Sequence, residues 1–378
     1  MPNFFYSWLR PSHVDKSSPD RLRRSFLRST ALAAPAALGG LAGCNSIRES
    51  ETPTRTATQQ YPGRESLPDP LAVDSSNSVV FLNDQSTDNY MGELALGMAD
   101  SGTIDLEGFL LGYPREVWKA EDQYDQHRKE YVTNHNVMHE KAVESGMSNL
   151  PPPEFGVFDQ HDKPESGSIE DTKPIGSTGT DRIIEAARMA TPEDPLVVTV
   201  GGDLCTVADA YLIDPGIADS LVVYWHEQVE DINEQDGYNI QNSGWSAYIV
   251  LKRLSVVLDH DSGGLSITQE EVADQIPSPL DRYMMSKEHW NWGNPLQSTD
   301  WSARGEHEIS DEKPLLLAVF PDIRLSNRRM AVSGVQRADW DYTPKSVLPA
   351  VTSGQDDSEL VQITNIRASN QTFWNGWN

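Results

Sequence analysis

Val79-Val80-Phe81-Leu82-Asn83-Asp84-Gln85-Ser86-Thr87-Asp88-Asn89-Tyr90 decides how the rest of the chain is read. Its first four residues are apolar and open with two β-branched side chains, the composition of a buried strand. The chain then turns polar at once, and Met91 to Ala99 carries helix formers around Glu93, Leu94, Ala95, Leu96 and Met98. A strand that feeds a helix through a short acidic turn places that turn at the carboxyl end of a sheet strand. Open α/β sheets bind their ligands along that edge. Asp84 and Asp88 sit in the turn, where two carboxylates can hold a hard cation such as Ca²⁺, with carbonyl oxygen from Asn83 or Asn89. The competing use is local, with Asp88 capping the helix and Asp84 starting the turn.

The same alternation continues downstream. Thr103 to Gly112 runs from half-alternating to fully apolar and predicts a second strand, parallel to the first. Arg115 to Gly146 has helical spacing and three histidines, His127, His135 and His139. His135 and His139 share one helix face, but the glutamate of a zinc-protease helix is missing between them, so a surface histidine pair is expected. Leu150 to Pro174 is rich in Pro, Asp and Ser and predicts a long loop. Thr178 to Ala190 predicts a helix capped by Thr180 or Asp181. Pro195 to Val200 is a buried strand that ends in Gly201-Gly202-Asp203, and Leu204 to Ile213 a helix. Ser220 to Trp225 is another strand, and Gly237-Tyr238-Asn239-Ile240 leads into a helix expected from Ser243 to Leu258. This series predicts an α/β fold with a doubly wound, mostly parallel sheet and long loop insertions. Residues 259–311 read as irregular. The run Pro314 to Phe320 fits either a strand or a helix, and Ala331 to Asn378 fits a hairpin or two packed on the domain.

With 378 residues, 38% of them hydrophobic, the chain can bury a large core. A formal net charge of −27 excludes nucleic acid as a partner, since phosphates would be repelled, and suits solubility in high salt. The first 43 residues stand apart, with six Lys/Arg against two Asp/Glu. Arg21-Leu22-Arg23-Arg24-Ser25-Phe26-Leu27-Arg28 is basic, Ser29 to Gly43 is weakly apolar, and Leu41-Ala42-Gly43-Cys44 closes the segment. That order resembles a twin-arginine export signal ending in a lipobox, which implies lipid modification of Cys44 and a cell-surface protein anchored to the membrane. Residues 44–76, rich in Ser, Thr, Pro and Gln, predict a disordered tether or a peripheral arm lying on the domain surface, and 77–378 the folded domain. Beyond Cys44 only Cys205 remains, so the domain has no internal disulfide.

Four stretches together resemble the inosine–uridine nucleoside hydrolase family, over roughly residues 78–325. They are the opening strand with its acidic turn and Ile104-Asp105-Leu106-Glu107-Gly108; Leu196 to Ala208 closed by Leu212-Ile213-Asp214-Pro215; Tyr238-Asn239-Ile240; and Pro314 to Val319. The resemblance implies hydrolysis of an N-glycosidic bond of a nucleoside or related glycoside, through an oxocarbenium-like transition state with a bound Ca²⁺. By it, Asp84 is a metal ligand and the base, Asp88 a further ligand, the backbone at Cys205 or Thr206 a carbonyl ligand, and Asn239 a contact to the sugar. An oligomer is compatible with that scaffold. The chain also departs from the pattern. Leu82 and Asn89 stand where the opening motif has aspartates, and Gly237 where a ribose-binding glutamate is expected. Glu312-Lys313 falls on the late His-Asp pair, which puts a lysine at a calcium-binding aspartate. Two explanations fit those departures: a shifted register in the late segment, where His289, His307, Glu308 and Asp311 are all near, or the alternative of an inactive cell-surface protein that binds a nucleoside or carbohydrate. Trp225, Trp245, Trp290, Trp292 and Trp301 are candidates either for the core or for stacking on a base or sugar ring.

Overall fold

Strand β1 (Ser78–Asn83) pairs in parallel with two neighbours, β2 (Asp105–Leu111) on one side and β4 (Leu196–Val200) on the other. The structure is a computed structural model that describes residues 67–69, 72–84, 93–112, 121–227, 238–260, 265–285, 306–309, 311–321, 324–331 and 360–366. Between β1 and β2 lies α1 (Glu93–Ser101), and α2 (Glu121–Glu144) precedes the short β3 (Pro153–Phe155). Then α3 (Thr178–Met189), β4, α4 (Cys205–Ile213), β5 (Leu221–His226), α5 (Tyr238–Arg253) and β6 (Ser255–His260) follow in turn. The last stretch holds β7 (Leu265–Thr268), α6 (Gln269–Gln275), α7 (Leu280–Met284), β8 (Glu306–Ile309), α8 (Lys313–Val319), β9 (Arg324–Ala331) and β10 (Leu360–Ile366).

One sheet runs β3-β2-β1-β4-β5-β6-β10-β9, and only β9 opposes its neighbour. Because β1 sends its side chains alternately to both faces, Val79 and Phe81 enter one core and Val80 and Leu82 the other. The first core receives Leu94, Leu96 and Met98 of α1, Met138 and Ala142 of α2, and Leu315 to Val319 of α8. The second receives Ile183 and Ile184 of α3, Val207 and Tyr211 of α4, and Ile249 and Val250 of α5. Helices on both faces leave the central strands without a wet side, which is why β1, β4 and β5 are mostly apolar and buried along almost their whole length. This is the expected doubly wound α/β sheet.

Several local expectations are corrected. The helix expected to reach Leu258 ends at Arg253, because Ser255-Val256-Val257-Leu258 is β-branched and pairs with Val222 to Trp225 as β6. The run from Pro314 is the helix α8. Tail residues extend the main sheet instead of forming a separate hairpin, since β10 pairs in parallel with β6 and antiparallel with β9. The region read as irregular contains α6, whose Thr268 and Glu271 form a reciprocal capping box, and the antiparallel pair β7–β8. Within the long loop lie β3 and a 3₁₀ turn at Ile169–Asp171. The cap of α3 is Ser177, whose Oγ accepts from the Thr180 amide at 3.0 Å. His135 is buried rather than on the surface, stacked 4.3 Å from Phe109. The end of the segment read as a tether or arm lies on the domain: Val73 is in the first core, and Ser255 Oγ donates to the Pro68 carbonyl at 2.8 Å. The signal segment with Cys44, Asp88, Gly237, Trp290, Trp292 and Trp301 lie outside the described residues. Among the described residues no helix is long and apolar enough to cross a membrane.

Candidate functional site

The chain winds outward from β1 to β3, then returns and winds the other way from β4. Strand order therefore reverses between β1 and β4, the switch point at whose carboxyl ends open α/β sheets form their ligand crevice. Backbone bonds fix its walls, with the Gly201 amide donating to the Leu82 carbonyl at 3.1 Å and the Gly112 amide to the Asn83 carbonyl at 2.8 Å. Asn83 turns its side chain back, and its Oδ1 accepts from the Asp84 amide at 2.7 Å.

Gly201-Gly202 forms the floor. A Cβ on Gly202 would stand 2.6 Å from both Cβ and Cγ of Asp84 and 2.8 Å from its Oδ2. A Cβ on Gly201 would stand 2.8 Å from Asn83 Oδ1 and from Asp311 Cγ, and would collide with Asp311 Cβ. Both positions exclude a side chain, and two carboxyl groups from opposite ends of the sequence rest on adjacent residues. Asp84 and Asp311 are both buried.

Neighbouring strand ends brace this floor. The Trp225 indole N–H donates to the Gly202 carbonyl at 2.8 Å. Asn239 gives its amide hydrogens to the carbonyls of Gly201 and His226, each at 3.2 Å, so the amide group ties the ends of β4 and β5 together. Glu227 receives the Ile240 amide on Oε2 at 2.9 Å and fixes the start of α5. That helix kinks at Ser243, whose φ of −146° and ψ of 46° are not helical, and Ser243 Oγ donates to the Asn239 carbonyl at 3.2 Å.

Asp203 accepts the Cys205 amide at 2.6 Å, and burial pushes its carboxyl pKa up. Cys205 is enclosed, with Ser246 Oγ donating to its sulfur at 3.4 Å, and burial pushes the thiol well above its ordinary value. It keeps its proton, and its carbonyl belongs to the first turn of α4, directed along the helix. Behind it, His161 joins Ser246 Oγ through Nδ1 and Asp209 Oδ1 through Nε2, each at 3.0 Å. Asp209 also accepts the amides of Ile175 and Gly176 and the Thr180 hydroxyl.

At the end of β4 facing α8, Glu312 and Lys313 are enclosed together with Asp311, and Lys313 is only 1% exposed. This composition fits a divalent ion poorly. Among the described residues no group of three or more His, Cys, Asp or Glu is arranged to hold one, and a buried ammonium stands two residues from Asp311. Asp84 is thus in the crevice, Asn239 at its wall and Cys205 behind it. Asp203 and Glu227, each just past an apolar run, join them without having been assigned roles from sequence, as does Asp311, one of the residues near the late motif if its register is shifted. Trp225 and Trp245 are core residues. Trp245 donates to Thr172 Oγ1 at 3.0 Å and stacks on Tyr248.

No protein-family model matches this chain, and no curated protein does. Solved structures do. A purine-preferring ribonucleoside hydrolase from Gardnerella vaginalis is similar over 79% of this chain and 96% of its own, at 13% identity and a TM-score of 0.50. A plant nucleoside hydrolase is similar over 80% and 97%, at 13% identity and a TM-score of 0.45. An inosine-uridine preferring nucleoside hydrolase from Bacillus anthracis is similar over 80% and 97%, at 12% identity and a TM-score of 0.45. The first of these likenesses, with the strand order above, establishes a nucleoside hydrolase-like fold for residues of this chain.

Proposed function

We propose that this protein hydrolyses the N-glycosidic bond of a nucleoside or a related glycoside in the crevice between β1 and β4. The observation that carries the reading is the convergence of Asp84 and Asp311 on the Gly201-Gly202 floor, at the switch point of a nucleoside hydrolase-like sheet. In such a reaction the oxygen of water bonds to the anomeric carbon as the carbon–nitrogen bond breaks. The departing base keeps the bonding electron pair and takes up a proton. Asp84 accepts the proton of the attacking water, and the carboxylates beside it favour the positive charge that develops on the sugar. The calcium implied by the resemblance has no step in this scheme.

A second reading is favoured by one feature, the enclosed Lys313 beside the acid pair. Under it the crevice holds a nucleoside or saccharide without cleaving it. Assaying the full chain for release of reducing sugar from purine and pyrimidine nucleosides separates the two. Turnover that falls by about 10³-fold or more in Asp84→Ala, with ligand binding retained, supports hydrolysis. Saturable binding without sugar release supports the second reading, and neither binding nor release across the panel sinks both. Export and lipid anchoring through Cys44 belong to the same proposal, supported by Arg23-Arg24 and Leu41-Ala42-Gly43-Cys44.

A further inference from the structure

The carboxyl edge of the sheet encloses an unusual amount of acid. Asp84 and Asp311 rest on the two floor glycines, Glu312 follows Asp311 directly, and Asp203 and Glu227 end the two adjacent strands. All five are at most 6% exposed. Carboxylates withdrawn from water to this degree stay ionised only where a countercharge or hydrogen-bond donors are near.

Lys313 carries a charge of the required sign, two residues after Asp311 in the chain. It is the first residue of α8, which packs across β4, β5 and β6, so its backbone enters at the end of β4 where Asp311 meets Gly201. The residue is only 1% exposed, so its ammonium is withdrawn from solvent, which a surface lysine on a helix start would reach. An ammonium is a compact cation that satisfies carboxylate oxygens through three N–H donors, the role a hard metal ion plays for the same oxygens. The two compete, because a fixed positive charge raises the cost of bringing a second one to the same carboxylates.

We propose that Lys313 is the resident cation of this site, its ammonium balancing Asp84 and Asp311, and that the protein binds its ligand without a divalent metal. The proposal rests on the Asp84–Asp311 crevice of the preceding reading, but not on whether a glycosidic bond is broken there. Its consequence for ligand class is direct. Without a divalent ion to gather vicinal hydroxyls, recognition depends on carboxylate oxygens and a shielded ammonium, which suits a polyhydroxylated neutral sugar.

Two measurements on the full chain test it, and neither needs turnover. Calorimetric titration of chelator-treated protein with calcium chloride is expected to give no saturable binding at concentrations up to about 1 mM, the weak end of biological calcium sites. Saturable binding tighter than that overturns the proposal. Thermal unfolding of Asp311→Asn, Lys313→Met and the double variant gives the second readout. Each single variant strands a buried charge, so each is expected to lower Tm, and the double variant is expected to lose clearly less than the two losses added. Strictly additive losses overturn the pairing. Absence of sugar release would leave both results standing, while calcium-dependent release would sustain hydrolysis and defeat this inference.

Discussion

Gly202 has no room for a methyl group, because a Cβ there would stand 2.6 Å from the Cβ of Asp84. Gly202→Ala is therefore expected to displace Asp84 and to cost about 1–3 kcal/mol of stability, as overpacking does. Sugar release should fall by about 100-fold, in line with a misplaced reacting group. Urea unfolding and the sugar assay check this, and an unaltered variant would show that Asp84 does not depend on the floor. His135 gives a second prediction. Its Nε2 donates to the Phe109 carbonyl at 3.3 Å, and burial pushes its imidazole down to about 3. The neutral form is the folded form, and the unfolded chain binds the extra proton first, so stability falls as pH drops from about 6.5 towards 3. At pH 5 the loss from this residue is about 2 kcal/mol. Urea midpoints at pH 7 and pH 5 should therefore differ more in the wild type than in His135→Gln. Equal differences would mean that the imidazole charges without cost. Asp84 was legible in the sequence because it directly follows the strand that places it. Asp311 was only one of several residues near the late motif, and its approach to Gly201 was not legible, since Gly201 is remote in sequence and only the folded sheet brings them together. The position of Asn239 was legible too, but not its bracing of two carbonyls, which requires the ends of β4 and β5 to be adjacent.

At the scale of elements, the segment from Gly156 to Gly176 is held onto α4 by Asp209 and by Thr206, whose Oγ1 accepts from the Val157 amide at 2.9 Å. Asp209 accepts from Ile175, Gly176, Thr180 and His161 at 2.6 to 3.0 Å. Burial pushes its carboxyl pKa up, but His161 and these donors outweigh that and hold it below its ordinary value. Asp209→Ala leaves buried donors unmatched, and a loss of about 3 kcal/mol or more is expected. Limited proteolysis should then cut within residues 156–176 before other sites in the domain, and an unchanged cleavage pattern would show that the segment is held by other contacts. This arrangement could not be read from the sequence, where His161, Asp209 and Ser246 are widely separated polar residues with no shared motif. The strands β1, β2, β4 and β5 were readable because each is a short apolar run bounded by turn residues. By contrast, β6 follows α5 with only Leu254 between them, so the apolar periodicity runs on and hides the boundary. The extension by β10 and β9 was equally hidden, since parallel pairing of β10 with β6 is a long-range choice that local composition does not encode.

For the whole molecule, charge decides how the chain can meet a membrane. The first 43 residues hold six Lys/Arg against two Asp/Glu, so the remainder, with 24 against 55, is more acidic than the chain's formal −27. An acidic body of that size is repelled by anionic lipid headgroups, and no described helix offers an apolar span in compensation. Under the proposed export signal, cleavage after Gly43 would remove the basic residues near the amino terminus. Attachment would then depend on lipid at Cys44. Cys44→Ser is accordingly expected to move the protein from the membrane fraction to the soluble exported fraction, with its thermal unfolding unchanged because Cys44 precedes the folded domain. Immunoblots of membrane pellet and culture supernatant measure the shift. Retention of Cys44→Ser in the pellet at wild-type levels would refute the anchor. Loss of both forms from outside the cell after replacing Arg23 and Arg24 by lysine would separate the export step from the anchoring step, since the first depends on the arginine pair and the second on the cysteine.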